Sequence, residues 1–165
     1  QADELKKYEI TIEKKIKELG FRINSKDFNR PWGGFLVIDE TQSNKFIEYF
    51  FENLDMSLIT KGLKLSPKIL IVKPLSRLSW QYHFRRSEIW KVFEGEVAVV
   101  RSENDNEQPK KVFSKGSLIT LKQGERHRLI GLNDFGVVAE IWQHTDVNNP
   151  SDENDIVRIQ DDYGR

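Results

Sequence analysis

The stretch "QYHFRRSEIW" (residues 81–90) sets Gln81, His83 and Glu88 within eight positions, just after the apolar run "ILIV". Alternate residues of a strand share a face, so Gln81 and His83 point the same way, and Ser79 has the same parity. Glu88 lies five residues beyond His83, far enough for a turn to bring it back on a neighbouring strand. A second imidazole, His127, stands behind a glycine turn in "KQGERHRL". Two imidazoles, a carboxylate and an amide oxygen make a mixed N/O donor set that suits Zn, Mn, Fe, Co or Ni. The lack of thiolate speaks against a closed structural zinc site. Four such donors on an ion that accepts five or six would leave positions for water or substrate. The same ten residues also fit a solvated strand end, and motifs this short do not separate the two readings.

The elements that must position these residues are legible as periodicities. Leu5, Tyr8, Ile12, Ile16 and Leu19 recur at steps of three and four, which predicts a helix over 3–19 that Asp3 caps and Gly20 ends. Its interleaved Lys and Glu form a solvated face. "NRPWGGFLVIDE" reads as a turn and a strand. In "TQSNKFIEYFFENL", Phe46, Ile47, Phe50, Phe51 and Leu54 fall on one helical face, with Ser43 as N-cap. That aromatic face must be covered, by the sheet or by a second subunit. From residue 67 the pattern becomes short Val- and Ile-rich runs, "KILIVK", "EIWKVF", "EVAVVR", "SLITL", "HRLIGL" and "GVVAEIW", separated by Gly, Asn, Asp and Pro. With no helical pattern between them, they predict an antiparallel sandwich or barrel. One more strand-like piece follows at Ile156–Ile159.

Bulk properties narrow the class. The chain has 165 residues, which suits one domain, with 26 Lys and Arg against 26 Asp and Glu and therefore no net charge. No global field attracts nucleic acid. Cysteine is absent, which removes thiol catalysis and disulfides and fits a reducing compartment. No apolar run approaches the ~18 residues that cross a bilayer, and the charged start "QADELKKYEITIEKK" is unlike a signal peptide. The expectation is a cytoplasmic protein that binds neither nucleic acid nor membrane.

The motifs resemble two nested families. The cupin pattern G-x5-H-x-H-x3/4-E-x6-G places Gln81 and His83 at its two histidines, Glu88 at its Glu and Gly95 at its last Gly. The second half, G-x5-P-x-G-x2-H-x3-N, starts at Gly116 and places Gly124 and His127. The chain departs from it at Leu75 (Gly in the pattern), Lys122 (Pro), Gly131 (Asn) and Gln81 (His). Gln in that slot after Leu-Ser is similar to the cupin domain of type II phosphomannose isomerases. Further matching segments are Arg30-Pro-Trp-Gly33, Val72-Lys-Pro74, Leu78-Ser-Trp-Gln81, Arg86, Glu88-Ile-Trp90, His127-Arg-Leu129, Asn154-Asp-Ile-Val-Arg158 and Asp162-Tyr-Gly-Arg165. The run after Gln81 is reduced to His83-Phe84-Arg85.

The resemblance implies a mainly β chain: a single cupin jelly-roll barrel over 30–165, an N-terminal helical extension over 1–29 and one inserted helix. It implies a metal-dependent sugar-phosphate isomerase, most simply of mannose 6-phosphate, with one divalent ion (Zn, Mn, Co, Fe or Ni) held by Gln81, His83, Glu88 and His127. Arg158 would lie over the site as a catalytic or substrate-orienting cation. Glu140, the one charged residue in "GVVAEIW", is costly to bury idle and is the candidate base, or else simply pairs with a neighbouring cation. Arg30, Lys68, Ser79 and Arg86 are candidates for holding the phosphorylated substrate. Trp32 and Trp90 read as core rather than sugar-stacking residues, and His144 as a loop residue rather than a ligand. A homodimer is expected. Two competing readings are a non-catalytic sugar-binding cupin and an Fe(II) cupin oxygenase, the latter disfavoured by Gln81 and the basic residues around it.

Overall fold

The Val- and Ile-rich runs pair as antiparallel strands, as their β-branched side chains favour. The computed structural model describes residues 2–59 and 63–165. Its elements are α1 (Ala2–Glu18), β1 (Ile23–Arg30), β2 (Gly33–Ile38), α2 (Ser43–Phe50), β3 (Leu65–Val72), β4 (Trp80–Tyr82) and β5 (Arg86–Glu94). Then come β6 (Val97–Ser102), β7 (Lys111–Phe113), β8 (Leu118–Leu121), β9 (Arg126–Gly131), β10 (Gly136–His144) and β11 (Val157–Gln160). One sheet has the order β1-β2-β3-β10-β5-β8, the other β11-β4-β9-β6-β7. The two sheets face each other as a cupin barrel. No helix among the described residues is long and apolar enough to cross a membrane.

Side-chain alternation divides the apolar residues between two layers. Leu70 and Val72 of β3, Val92 of β5 and Val138 of β10 point between the sheets and meet Val97, Val99 and Leu129 from the opposite sheet. Ile69, Ile71, Ile89, Ala139 and Ile141, at the intervening positions, point outward. That outer face is covered by Ile12 and Ile16 of α1 and by Phe46 and Phe50 of α2. All nine residues of β10 are therefore buried, as in a strand covered on both faces. The aromatic face of α2 thus packs on the sheet of its own chain. Phe50 lies edge-on to Phe93, with ring centroids 5.1 Å apart.

Several expectations change. The helical extension stops at Glu18, and Ile23–Arg30 pairs with β2 as the sheet's edge strand. Its burial is irregular, so no clean alternation marks it in the sequence. β4 and β7, three residues each, are likewise too short to leave a period. Glu9 is not solvated: β1 covers it, and its carboxylate takes a hydrogen bond from Lys26 at 2.9 Å. Asp3 lies inside the first turn of α1 rather than at its cap. Ser43 is the first residue of α2; Gln42 occupies the cap without a side-chain cap bond. Gln42 instead accepts from the Arg22 N–H at 2.7 Å and donates to the Gly20 carbonyl at 2.9 Å, tying the two helix ends together.

One departure from the cupin pattern acquires a physical reason, and another a cost. At Gly131 an added Cβ would stand 2.1 Å from the Lys73 carbonyl oxygen, so no side chain fits that crossing. Leu75, where the pattern has Gly, sits in the left-handed region at φ 57° with its side chain 81% exposed. That conformation costs a residue with a Cβ about 1–2 kcal/mol, while glycine's freedom in the unfolded chain takes back about 0.5–1 kcal/mol. Leu75→Gly should therefore raise stability by up to about 1.5 kcal/mol in urea unfolding. A clear loss would mean that the leucine side chain packs more than its exposure suggests.

Candidate metal centre

Strand register assembles the site. β4 and β9 place Gln81 opposite His127, and β11 places Arg158 opposite Gln81 from the other side. In the facing sheet, β10 sets Glu140 between Lys68 of β3 and Trp90 of β5, and Trp142 between Ser66 and Glu88. Lys68, Leu70 and Val72 of β3, Glu88, Trp90 and Val92 of β5, and Val138, Glu140 and Trp142 of β10 point inward, so the barrel interior is apolar at one end and polar at the other. All ten candidate residues line a single cavity of about 70 Å³ at the polar end.

His83, Glu88 and His127 converge there, with one ligand-capable atom from each lying within 4.8 Å of the others. Glu88 Oε2 is 3.1 Å from His83 Nε2 and 3.9 Å from His127 Nε2. The outer nitrogens fix both tautomers. His83 Nδ1 donates to the Asp155 carbonyl at 2.7 Å and His127 Nδ1 to the Glu125 carbonyl at 2.9 Å. A carbonyl only accepts, so both Nε2 atoms keep their lone pairs and face the cavity, the orientation that a metal-binding histidine needs. The amide of Gln81 is buried opposite His127 and lines the same cavity. The set fits a divalent ion with N/O preference.

Burial shapes the charges. It would raise the Glu88 carboxyl, but the Arg86 guanidinium outweighs it and holds Glu88 well below the usual carboxylate range. Glu140 goes the other way: burial and the Glu88 charge push it well above that range. The two carboxylates share the Trp90 indole N–H, at 3.0 Å from Glu88 Oε1 and 2.8 Å from Glu140 Oε2. Trp142 Nε1 donates to the other Glu140 oxygen at 2.8 Å. One ionised and one protonated carboxyl is how two buried acids coexist at this range. His127 is lowered to about 4, first by burial, and so stays neutral and able to ligate.

The remaining candidates divide into engaged and open groups. Arg86 donates to Glu88 Oε2 at 3.0 Å, to Ser151 Oγ at 2.9 Å and to His83 Nε2 at 3.2 Å, and stacks 3.5 Å from the Trp142 ring centre. Its donors are spent on holding the site together. Lys68 is buried at the rim between the Phe35 and Trp142 rings and is paired with Glu153. Arg30 pairs with Asp27 at 3.1 Å and lies 3.9 Å from Glu153. Among the described residues, the buried side-chain polar atoms without a partner are Ser79 Oγ and Arg158 Nε. Both belong to the cavity lining, and buried polar groups are rarely left unmatched unless something else binds them.

Other residues sit differently from expectation. His144 ends β10 rather than lying in a loop. It is buried, 2.8 Å through Nε2 from Ser66 Oγ, and its Nδ1 accepts from the Ser151 N–H at 2.9 Å. It is no part of the His83–Glu88–His127 group. Trp90 is core, as expected, but its indole N–H also links the two carboxylates. Sequence reasoning missed Trp142, although it shares parity with Glu140, and also missed Asp155. The Asp155 carboxylate accepts from the N–H groups of Phe84 and Arg85, each at 2.9 Å, and so ties the β10–β11 connection to the loop that carries His83.

His127 makes stability pH-dependent. Its ordinary pKa of 6.5 falls to about 4 in the folded chain, so on acidification the unfolded state takes up the proton first. The related stability is complete above pH 6.5 and is lost as pH falls towards 4, by an amount on the order of 3 kcal/mol. In chelator-treated protein, the difference in unfolding free energy between wild type and His127→Gln should shrink across that window. A difference independent of pH would show that His127 does not titrate as its burial requires.

Comparison with known proteins shows the family and the fold. Residues 51–161 match the family described as mannose-6-phosphate isomerase C-terminal. No curated protein matches the chain. Solved structures of similar shape include oxalate decarboxylase from Bacillus subtilis, at 12% identity over 81% of this chain and 29% of that one, with TM-score 0.57. Vicilin from Solanum lycopersicum shows 20% identity over 83% of this chain and 33% of its own, with TM-score 0.51. An oxalate oxidase in complex with glycolate shows 18% identity over 58% and 46%, with TM-score 0.48. The chain spans less than half the length of each of these three, and at such identities the likeness to the decarboxylase and the vicilin concerns the fold alone. The family match runs from β3 to β11 and includes every candidate residue except Arg30, and on it the chain belongs to the mannose-6-phosphate isomerase C-terminal family.

Proposed function

We propose that the chain is a metal-dependent aldose–ketose isomerase acting on a sugar phosphate, with mannose 6-phosphate and fructose 6-phosphate as the pair. The observation that carries this reading is the shared cavity. It is lined by His83, Glu88 and His127, by Glu140 with its raised pKa, and by Ser79 and Arg158, each of which has a buried polar atom without a partner.

The reaction removes the C2 proton of the open-chain aldose and returns a proton to C1, while a hydroxyl proton passes from O2 to O1. A divalent ion held by Gln81, His83, Glu88 and His127 would supply Lewis-acid polarisation of the sugar oxygens, which makes the C2 proton more acidic. Glu140 carries the proton: its raised pKa puts it nearer neutrality, where a carboxyl can both accept and donate. Trp90 and Trp142 hold its oxygens in place. Arg158 and Ser79 turn their free polar atoms to the developing enediolate, and Lys68 and Arg30 take the phosphate. Arg86 positions Glu88 and His83.

Turnover of mannose 6-phosphate by metal-loaded protein, with metal content measured alongside, tests this. Wild type should bind one ion per chain and isomerise. His83→Ala should lose both ion and activity, whereas Glu140→Gln should keep the ion and lose about 10²–10⁴-fold in kcat. A full complement of metal with no turnover of sugar phosphates would sink the isomerase reading and favour a binding role. Substrate-dependent dioxygen uptake would replace it with oxygenase chemistry.

A further inference from the structure

The rim of the cavity already holds an anion, and the chain itself provides it. Glu153 reaches from the turn between β10 and β11 to the buried Lys68 ammonium, and its other oxygen lies 3.9 Å from Arg30 Nη2. It is the tip of a short span with two fixed ends. Ser151 Oγ donates to Asp155 Oδ2 at 2.6 Å, its N–H is held by His144, and Asp155 is tied to the His83 loop. Between these anchors Asp152, Glu153 and Asn154 are exposed, so the Glu153 side chain can swing outward while the anchors stay bonded. With it in place the cavity measures about 70 Å³, far below the ~300–1,000 Å³ of small-molecule sites.

We propose that Glu153 is a built-in competitor for the ligand's anionic group. Its carboxylate keeps Lys68 and Arg30 paired while the site is empty, and a phosphate enters by displacing it. The inference rests on the sugar-phosphate reading only for the identity of the anion. Lys68 is held in the meantime against the Phe35 and Trp142 rings, so the seat is already arranged when the carboxylate leaves. Glu153 thereby acts as a specificity residue, because a neutral ligand has no charge with which to replace it.

The test is calorimetric titration of metal-loaded protein with inorganic phosphate, accompanied by thermal unfolding. Removing a partly exposed competing pair should let Glu153→Gln bind phosphate about fivefold tighter than wild type. Lys68→Met should weaken binding in both backgrounds, which places the phosphate at the rim and not on the metal. Equal affinity in wild type and Glu153→Gln overturns the proposal, as does binding that Lys68→Met leaves unchanged or no phosphate binding at all. A Glu153→Gln protein that is less stable but has unaltered affinity would make the pair purely structural. The titration needs no turnover: the expected pattern without isomerisation would sink the isomerase reading and leave this one standing.

Discussion

Two carboxyl groups buried side by side in a barrel govern the rest of the site. Neither can be ionised there without compensation, because moving an isolated carboxylate into an apolar interior costs far more than a domain's whole stability margin. The chain answers by asymmetry. Glu88 receives a guanidinium and an indole N–H; Glu140 receives two indole N–H groups, and burial beside the Glu88 charge raises its pKa. Each compensating group must itself be buried and oriented, which draws Arg86, Trp90 and Trp142 into the interior. Placing Arg86 then requires Ser151 and the turn after β10. A metal site therefore comes with a particular sheet register and a particular C-terminal connection.

Antiparallel pairing makes this economical. A single register brings Lys68, Glu140 and Trp90 abreast, and a step of two along the same strands brings Ser66, Trp142 and Glu88 abreast. A slip by one residue would turn this whole polar row outward and carry Ile69, Ala139 and Ile89 inward. The imidazoles come from the opposite sheet, so the donors meet only when both sheets close over the same volume. The outer nitrogens of both histidines are satisfied by backbone carbonyls. Their orientation is thus set by the fold of two loops and not by further side chains.

Much of this was legible in the sequence because period-2 alternation and the motif spacing both survive translation into structure. The six Val- and Ile-rich runs became β3, β5, β6, β8, β9 and β10, and all ten candidate residues reached one cavity. What stayed hidden lacked a local signature. β1 is an edge strand whose irregular burial erases its period, and β4 and β7 are too short to have one. Glu9 is indistinguishable from its solvated neighbours until β1 is laid over it. His144 sits outside every motif, and its buried bonds to Ser66 and Ser151 join residues far apart or across a turn. The role of Arg86 was hidden for a related reason: a cation in a substrate motif reads as a ligand-binding group, and only geometry shows its donors already committed. Glu153 resembles any acid in a polar tail until Lys68 is seen beneath it.

The two apolar layers have a consequence for how such a chain can change. The outer layer, between the helices and the six-stranded sheet, contains Phe21, Phe46, Phe50, Phe51, Ile12 and Ile16 and no residue of the cavity. Aromatic and aliphatic side chains of this size each contribute about 1.5–3 kcal/mol when fully buried. Much of the barrel's stability is therefore supplied from the side of the sheet opposite the chemistry. The interior is thereby released from having to be an optimal core, and can hold ionised groups, unmatched polar atoms and empty space without unfolding the chain. Substitutions that retune the chemistry and substitutions that restore lost stability fall on opposite faces of the same strands. The two can be made separately, and their effects on stability should add.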